Sequence, residues 1–496
     1  MQLVVKNARI VSPSGVREVD LGVEDGRFAV IADAGKGPAE ASEVTDAAGR
    51  YVLPGVIDPH LHLQDAYYKY EELIGTETKA AAFGGVTTVI PMLFKRSDPE
   101  ESYHTVFPYL MEAAQKSAHV DYAISGMLFH DDQINELGEY ARDYGLTSHK
   151  VMMAYKGEEA EVFGVRAVDD AQILHTMSTL AKLGYPALTM IHAENMEIVY
   201  RFKEIAKRLG ENGLAAYDAA RPYFAEEENL RRAIYFAELT GCPLYVVHMS
   251  IGSGVELIRD ARRRGIPVVA ETCPHFLMFN LSDDPQGWMG KVNPPIRNEW
   301  HQQKLWEGIA SGVITTVGSD HSTLMPYENK MKGDLWEAIP GYPGTGQILP
   351  VMLSEGVNKG RIDITDVARV CSENVARIFG LYPQKGTISV GSDADFVIVD
   401  MEHEHTLRAT EDHSIAGYSL YDGVTFKGWP ITTVLRGSVI ADSNQVTASP
   451  GYGRYIARAL SDDPVQRRAW EGLYPTEYSG PQRELAADFL GRLDQG

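Results

Sequence analysis

Two histidines, His60 and His62, end a short apolar run that begins at Leu53 and contains Asp58. In an extended strand, side chains two residues apart point to the same side. His60 and His62 can therefore hold one cation, with Asp58 in phase just behind them. The spacing predicts a metal site at the end of a strand.

Three more side chains suited to metal binding follow later apolar runs, namely His192, His248 and Asp320. The parallel strands of a barrel all end at one face, so residues far apart in sequence meet there. Together with His60 and His62, these groups can bind a borderline metal such as zinc, and Asp320 is also placed to accept a proton. A second metal would need one more anionic ligand.

Lys150 is the candidate for that ligand, because it lies inside the apolar run Ser148–Met153. An ammonium group is costly to bury there without a partner. Reaction with carbon dioxide would convert the amine into a carbamate, which can bridge two cations. The alternative is an ordinary lysine that extends from the end of a strand into water.

The elements that would position these residues are short β-branched runs alternating with longer helical stretches. Eight runs are predicted to be strands: Gly55–Ile57, Val86–Pro91, Tyr122–Leu128, Ser148–Met153, Ala187–Ile191, Leu244–Val247, Ile266–Ala270 and Val313–Val317. After His130, Asp131 and Asp132 can cap a helix that ends at Gly145. The alternation is typical of βα units, and eight of them predict an α/β fold of the (β/α)8 TIM barrel type.

The two ends of the chain show a different pattern. Residues 1–53 and 385–450 contain short alternating runs separated by glycine turns. We expect them to form one small antiparallel β-sandwich domain, with the barrel occupying residues 54–384. The polar tail, residues 451–496, suggests no chemistry and is expected at a subunit interface.

Composition narrows the possible partners and the compartment. The 46 basic and 68 acidic side chains among 496 residues give a formal net charge of -22, which disfavours nucleic acid and anionic membrane surfaces. The three cysteines (Cys242, Cys273 and Cys371) are far apart and indicate neither disulfides nor a thiolate zinc site. No signal peptide and no apolar run of about eighteen residues is found, so we expect a soluble, cytoplasmic protein.

Seven motifs in collinear order resemble those of the cyclic amidohydrolases, the group of D-hydantoinases, dihydropyrimidinases, allantoinases and dihydroorotases. They are PGVIDPHLH (54–62), KAAAFGGVTT (79–88), KVMMAY (150–155), IHAEN (191–195), VHMS (247–250), NPPIR (293–297) and GSDH (318–321). The resemblance spans residues 1 to about 450. It implies a small cyclic amide as substrate and a homodimer or homotetramer as the assembly.

The resemblance also implies a binuclear centre of two divalent ions, Zn²⁺ or alternatively Mn²⁺. The implied ligands are His60, His62 and Asp320 for one ion, His192 and His248 for the other, and N6-carboxylated Lys150 as the bridge. A hydroxide between the ions would hydrolyse the C–N bond of a cyclic amide or imide, with Asp320 moving the proton. Tyr155 matches the family tyrosine that donates to the developing oxyanion, although such a residue can also be a core aromatic side chain.

Three positions implied to bind substrate depart from the family pattern. Gln64 stands where dihydroorotases carry arginine, hydantoinases aspartate and allantoinases asparagine. Asn293 replaces the hydantoinase serine and resembles the dihydroorotase version, and Gly341 replaces a hydantoinase asparagine. Dihydroorotate is therefore disfavoured. The choice stays open between hydantoin, a dihydropyrimidine, and allantoin or another cyclic ureide or imide.

Two alternatives belong to other functional classes. A catalytically inactive scaffold similar to the collapsin response mediator proteins would keep the fold but lose ligands, whereas all six ligand positions are filled here. A mononuclear deaminase would need no bridging lysine, so Lys150 argues against it.

The remaining histidines considered for the site are His104, His130, His275 and His321. They lie near turns or strand ends, and we expect ordinary hydrogen-bonding roles for most of them. His321, adjacent to Asp320, is the candidate for supporting a metal ligand. The glycine pair at 84 and 85 lacks the Walker pattern and predicts tight packing rather than phosphate binding.

Overall fold

A computed structural model describes residues 1–63, 67–283, 287–323, 325–461, 473 and 481–493. Its strands, numbered β1 to β19 in chain order, are Leu3–Ser12, Gly15–Glu24, Arg27–Asp33, Glu43–Asp46, Tyr51–Pro54, Val56–His62, Val86–Leu93, Asp121–Tyr122, Ser125–Met127, Ser148–Met152, Leu188–His192, Leu244–Val246, Val268–Thr272, Thr316–Val317, His321–Ser322, Phe396–Thr406, Thr425–Leu435, Ser438–Asp442 and Gln445–Val446.

The α-helices, numbered α1 to α17 in the same way, are Tyr70–Phe83, Tyr103–Ser117, Asp131–Asn135, Leu137–Tyr144, Glu158–Phe163, Asp170–Leu183, Met196–Leu209, Leu214–Ala220, Tyr223–Thr240, Gly252–Arg263, Pro274–Met278, Glu299–Ala310, Tyr327–Lys330, Ile348–Val351, Ile364–Ala368, Asn374–Ile378 and Pro481–Leu490. Short 3₁₀ turns lie at Gly287–Gly290 and Thr345–Gln347, and π-helical turns at Met352–Val357 and Arg369–Glu373. Among these helices, none is long and apolar enough to cross a bilayer.

Parallel strands β6 to β14 form the predicted barrel, with β8 as a short branch beside β7. The eighth barrel segment closes the ring in two steps. Its first part, β14, pairs with β13, and its second part, β15, pairs with β6 through His321 opposite Leu61. The TIM barrel predicted from the βα alternation is therefore confirmed, and the C-terminal ends of its strands share one face.

Neighbouring residues within one barrel strand belong to different parts of the core. Met190 in β11 lies in an apolar cluster with Tyr245 and Val269, whereas its neighbour Ile191 lies in a separate cluster with Val246. This alternation follows from the two-residue period of a strand, which sends side chains alternately to the barrel interior and to the surrounding helices.

The second domain is β-rich and is built from both ends of the chain, as predicted. Its strands form one continuous sheet in the order β19-β18-β17-β16-β5-β1-β2-β3, with β4 beside β1. The join between the two ends is the antiparallel pair β5–β16, where Pro54 lies opposite Phe396. The expectation of a purely antiparallel module is wrong, because β1 runs parallel to both β4 and β5.

Some predicted element bounds also differ from the structure. The helix expected after His130 is two helices, α3 and α4, that meet at Glu136, and His130 itself is the N-cap of the first. The third predicted strand is divided into β8 and β9. Gly145 ends α4 with φ 68°, as expected for a left-handed glycine cap.

Part of the C-terminal tail lies against the barrel of its own chain. The backbone of Arg454 and Ile456 bonds with Tyr122, and the buried Arg458 donates to Ser148 Oγ at 2.7 Å. Residues 462–472 and 474–480 lie outside the described residues. A role of the tail at a subunit interface stays a prediction.

Candidate active site

Three of the predicted ligands meet at the C-terminal face of the barrel. His60 and His62 end β6, and Asp320 lies between the two parts of the eighth segment. Nε2 of His60 lies 3.2 Å from Nε2 of His62, and Oδ1 of Asp320 lies 3.2 and 3.3 Å from these two nitrogens. Their donor atoms are close enough for all three residues to bind one ion.

Lys150 joins this group from the middle of β10. Its Nζ lies 2.8 Å from Nε2 of His60 and 3.4 Å from Nε2 of His62, and the residue is 2% exposed. Burial lowers the pKa of the Lys150 amine to about 8. The alternative of a lysine that extends into water does not hold, because the side chain ends among the histidines.

The remaining two histidines form a pair on the other side of the barrel mouth. His192 ends β11 and His248 follows β12, and His192 Nδ1 lies 3.0 Å from His248 Nε2. The rings of His60 and His248 are 5.3 Å apart, which connects the pair to the first group. Burial lowers the pKa of His60, His62 and His248, so these imidazoles are neutral and able to act as ligands.

Asp320 is the carboxylate of the cluster. Burial alone would raise its pKa, but the neighbouring His60 and His62 hold the pKa of Asp320 well below its usual range. The group is therefore an anion at neutral pH. A buried carboxylate in this state can bind a metal and can accept a proton from a neighbouring water.

A carboxylate that the sequence analysis did not single out, Glu271, orients the first histidine. It lies in β13, and its Oε1 is 2.7 Å from His60 Nδ1 and accepts from the His248 backbone N–H at 2.9 Å. Tyr245 donates to Oε2 at 2.7 Å. Burial raises the pKa of Glu271 to about 8, whereas the bonds from His248 and Tyr245 favour the ionised form. The contact with His60 directs that imidazole's Nε2 toward the cluster.

Glu194 orients His192 in the second pair of histidines, as Glu271 orients His60 in the first group. Its Oε2 lies 2.7 Å from His192 Nε2, which leaves Nδ1 of that ring facing His248. Arg221 donates to the same oxygen at 2.9 Å and pairs with Glu159 through its other amino group. Although burial raises it, the pKa of Glu194 is held far below its usual range by Arg221 and the His192 bond. Glu194 stands two residues after His192, a spacing that could have identified it.

Asp58 lies behind the ligands, as its phase with the histidines predicted. Its carboxylate accepts hydrogen bonds from Ser319 Oγ at 2.6 Å and Thr345 Oγ1 at 2.7 Å. Burial raises the pKa of Asp58 to about 6. Because Ser319 precedes Asp320, these bonds fix the turn that presents Asp320 to the site.

Backbone strain is concentrated at the same place. Three non-glycine residues of the site have positive φ values: Tyr155 at 57°, His248 at 36° and Asp320 at 50°. Such conformations cost free energy and persist where the surrounding structure over-determines them, commonly at functional sites. Each of the three follows a barrel strand.

A cavity of about 600 Å³, part of which is open to solvent, lies above the cluster. It is lined by His62, Phe94, Met127, Lys150, Met152, Tyr155, Phe163, Val165, His192, His248, Val292, Asn293, Asp320, Ser322, Pro340 and Gly341. The predicted substrate-binding residues Tyr155, Asn293 and Gly341 therefore border the same space as the ligands. Gln64 lies outside the described residues.

The other histidines take structural positions. His104 and His130 lie in α2 and at the start of α3, away from the cluster. His321 accepts from the backbone N–H of Thr345 at 3.2 Å and lies 3.1 Å from Glu77, so it holds the loop that bonds Asp58. His275 differs from expectation, because neither of its buried ring nitrogens has a hydrogen-bond partner among the described residues.

The donor set fits divalent metal ions. Four imidazoles, one carboxylate and one amine are brought together. In His60 and His192, the ring nitrogen that faces inward is the one left open by Glu271 or Glu194. Imidazole and carboxylate ligands suit zinc, and manganese is compatible with them. A carboxylated Lys150 would add the second anion that two ions require.

Comparison with known proteins agrees with the fold and the site. The sequence model of the amidohydrolase family matches residues 51–440. An L-hydantoinase of Paenarthrobacter aurescens is 36% identical over 467 residues, covering 92% of this chain and 98% of that protein. An allantoinase of Rubrobacter xylanophilus is 34% identical over 455 residues, covering 92% and 97%.

Comparison with a solved structure shows that the similarity extends to the three-dimensional fold. The crystal structure of dihydropyrimidinase from Brevibacillus agri NCHU1002 superposes with a TM-score of 0.84 at 32% identity, covering 94% of this chain and all of that one. The chain belongs to the amidohydrolase family. The resemblance inferred from the seven motifs is thereby confirmed.

Proposed function

We propose that this chain is a zinc-dependent cyclic amidase of the hydantoinase and dihydropyrimidinase type, which opens a cyclic amide or imide by hydrolysis of a ring C–N bond. The observation that carries the proposal is the position of Lys150, whose Nζ lies 2.8 Å from Nε2 of His60 inside a buried group of imidazoles. Relatives named for hydantoin, dihydropyrimidine and allantoin hydrolysis support this class of reaction.

The proposed ligands follow the two groups found at the barrel mouth. They are His60, His62 and Asp320 for one ion, His192 and His248 for the other, and N6-carboxylated Lys150 between them. When bound, two Zn²⁺ ions, or Mn²⁺ as the alternative, would polarise the ring carbonyl and acidify the attacking water. The lowered pKa of Lys150 supports carboxylation, because only the neutral amine reacts with carbon dioxide.

Asp320 is the proposed proton carrier. As an anion in contact with the ligand cluster, it takes the proton of the attacking water while the water oxygen forms a bond to the carbonyl carbon. It returns the proton to the ring nitrogen when the C–N bond breaks. The product carries a new N–H group and a new carboxyl group at the two ends of the opened ring, and the carboxyl group ionises by releasing the second proton of the water.

Tyr155 is the proposed donor to the oxyanion. Its ring lies 5.3 Å from that of His192 and borders the cavity. Burial raises the pKa of Tyr155 well above its usual value, so the phenol stays protonated over the working pH range. A fixed O–H donor at this place can stabilise charge that develops on the carbonyl oxygen.

The cavity lining supports a ring with an apolar substituent. The wall away from the ligands includes the apolar side chains of Phe94, Met127, Met152, Phe163 and Val165. Such a lining favours hydantoins or dihydropyrimidines with hydrocarbon side chains. Allantoin is the second candidate, because allantoinases of similar length are related to this chain over nearly their whole length.

The test is a substrate panel with metal analysis. Hydantoin, 5-substituted hydantoins, dihydrouracil, dihydrothymine, allantoin, dihydroorotate and simple cyclic imides are incubated with purified protein of measured metal content. We expect two metal ions per chain and ring opening of hydantoins or dihydropyrimidines. Two metals with no turnover of any ring would instead favour the scaffold alternative, and one metal with unmodified Lys150 would favour the deaminase.

The variant Asp320→Asn tests the proton carrier, and we expect it to abolish turnover in a folded protein. Asp132→Asn is the matched control, because that side chain is 83% exposed at the start of α3. Retained activity in Asp320→Asn would refute the assigned role. Light scattering of the same preparations checks the proposed homodimer or homotetramer.

A further inference from the structure

A buried chain of hydrogen bonds connects the candidate metal ligand His192 to the substrate cavity. Glu194 accepts from His192, Arg221 donates to Glu194 and to Tyr217, and Tyr217 donates to Asn293. All five residues are at most 5% exposed. The chain ends at Asn293, which lines the ring cavity.

The direction of each hydrogen bond in this chain follows from chemistry. A guanidinium has donors only, so Nε of Arg221, 3.1 Å from the Tyr217 hydroxyl, makes that hydroxyl an acceptor. The single proton of Tyr217 then goes to Asn293. An amide accepts through its oxygen, so Oδ1 of Asn293 faces Tyr217 and Nδ2 takes the other side.

The guanidinium of Arg221 is held firmly in its position. Its guanidinium is 1% exposed and forms ion pairs with both Glu159 and Glu194. Removing a buried guanidinium from two carboxylates would leave unpaired charges in the interior, which is strongly unfavourable. The carboxamide of Asn293 is therefore held with a fixed polarity.

Nδ2 of Asn293 has no acceptor among the residues that the structure describes, and Asn293 borders two cavities. One is the ring cavity, and the other is a neighbouring space lined by Tyr217, Arg221 and Trp336. Phe163 and Pro340 also line both. The donor Nδ2 thus stands at the wall shared by the two spaces.

We propose that Asn293 is a specificity-determining residue that donates from Nδ2 to an acceptor oxygen of the bound substrate, a ring carbonyl or a carbonyl or carboxylate of the substituent. Tyr217 and Arg221 are positioning residues that fix the polarity of the amide. The proposal deepens the proposed function and rests on it for the identity of the ring. It favours substrates with an acceptor oxygen on this side over those with an N–H or a methyl group there.

The sharpest variant is Asn293→Asp, which keeps the shape and the acceptor for Tyr217 but replaces the Nδ2 donor by an oxygen. Dissociation constants for hydantoin and dihydrouracil are measured by calorimetry in an Asp320→Asn background, where no turnover occurs. We expect Asn293→Asp to weaken binding by about tenfold or more, since a donor is lost and an acceptor faces an acceptor. An affinity within about twofold of the parent would overturn the proposal.

Tyr217→Phe tests the positioning role, because it removes the hydroxyl that orients the amide and leaves Asn293 in place. We expect weaker binding by about threefold to tenfold, and a smaller additional effect of Asn293→Asp in this background than in the parent. Tyr185→Phe is the matched control, because it removes a hydroxyl that donates to Arg377 O at 2.7 Å, away from the site. Equal affinities of Tyr217→Phe and Tyr185→Phe would contradict the role of Tyr217.

Turnover by the wild-type protein is recorded separately, which keeps the two proposals apart. Loss of affinity in Asn293→Asp without any wild-type turnover would support the donor and contradict the amidase. Wild-type turnover together with unchanged affinity in Asn293→Asp would support the amidase and contradict the donor role of Asn293. If neither the wild-type protein nor the Asp320→Asn parent binds any ring, both proposals are overturned. Thermal unfolding and the metal content of each variant identify changes due to misfolding or metal loss.

Discussion

Oε1 of Glu271 lies 2.7 Å from Nδ1 of His60, and this contact determines which nitrogen of the imidazole is open toward the ligand cluster. Both residues are fully buried. With Nδ1 occupied, Nε2 is the atom that faces Lys150 and Asp320. Glu271 thus acts on the candidate metal site without bordering the cavity.

Replacing Glu271 by glutamine should weaken metal binding, because the amide keeps the shape but has a single acceptor oxygen, whereas the two oxygens of Glu271 contact His60, the His248 backbone N–H and the Tyr245 hydroxyl. The loss of metal affinity or activity is expected to be about 10-fold to 100-fold, as is usual for partners of ligating histidines. Metal retention during titration with a chelator measures it. Glu112→Gln, at an exposed ion pair with Lys116, serves as the control, and equal retention in both variants would contradict the role.

The barrel could be predicted because its strands alternate regularly with amphipathic helices. The strand-end rule then placed His60, His192 and Asp320 at one face, and the structure brings them together. The comparisons confirm the family and the class of reaction. The pairing of β1 with β4 and β5 was not predictable, because short alternating runs do not reveal which strands run parallel.

The supporting residues of the site were harder to find from sequence. Glu271 and Arg221 lie in separate βα units, and no local pattern shows that they reach His60 and Glu194. Their roles depend on distances set by barrel closure, in which the eighth segment pairs with β13 on one side and with β6 on the other. Lys150 could be singled out because a charge inside an apolar strand demands an explanation.

Lys150→Ala should abolish both turnover and binding of the second metal ion. The substitution removes the only proposed anion between the two groups of histidines. Because the Lys150 side chain is 2% exposed, a solvent-exposed side chain cannot reach this position to take its place. Metal analysis and the activity of a folded variant measure the effect. Two tightly bound ions in Lys150→Ala would show that the lysine is not the bridge.

The pH dependence of carboxylation follows from the pKa of Lys150. Burial lowers this pKa to about 8, so the reactive neutral amine increases about tenfold per pH unit below pH 8 and levels off above it. The second-order rate constant for dissolved CO2 during reactivation of metal-free protein should follow that curve. A rate constant that continues to rise steeply beyond pH 9 would indicate an amine with the ordinary pKa of lysine.

Lys385 connects the β-rich domain to the barrel through a buried group of charges. Its Nζ lies 2.6 Å from Asp121 in β8, 2.6 Å from Asp395 and 3.1 Å from Asp393, and the lysine side chain is 1% exposed. Burial opposes the ammonium charge, but these carboxylates raise the pKa of Lys385 above its usual value. Removing the cation leaves three acidic groups close together inside the protein, with Arg436 as the remaining buried cation paired with Asp121.

Lys385→Ala is therefore expected to lower the free energy of unfolding by about 3–5 kcal/mol, the usual cost of breaking a buried ion pair from one side. The matched control is Lys36→Ala, whose partner Asp33 is 70% exposed and whose loss should change stability by less than about 0.5 kcal/mol. Chemical denaturation of both variants beside the wild type measures the difference. Similar midpoints for the two variants would show that the cluster around Lys385 does not hold the domains together.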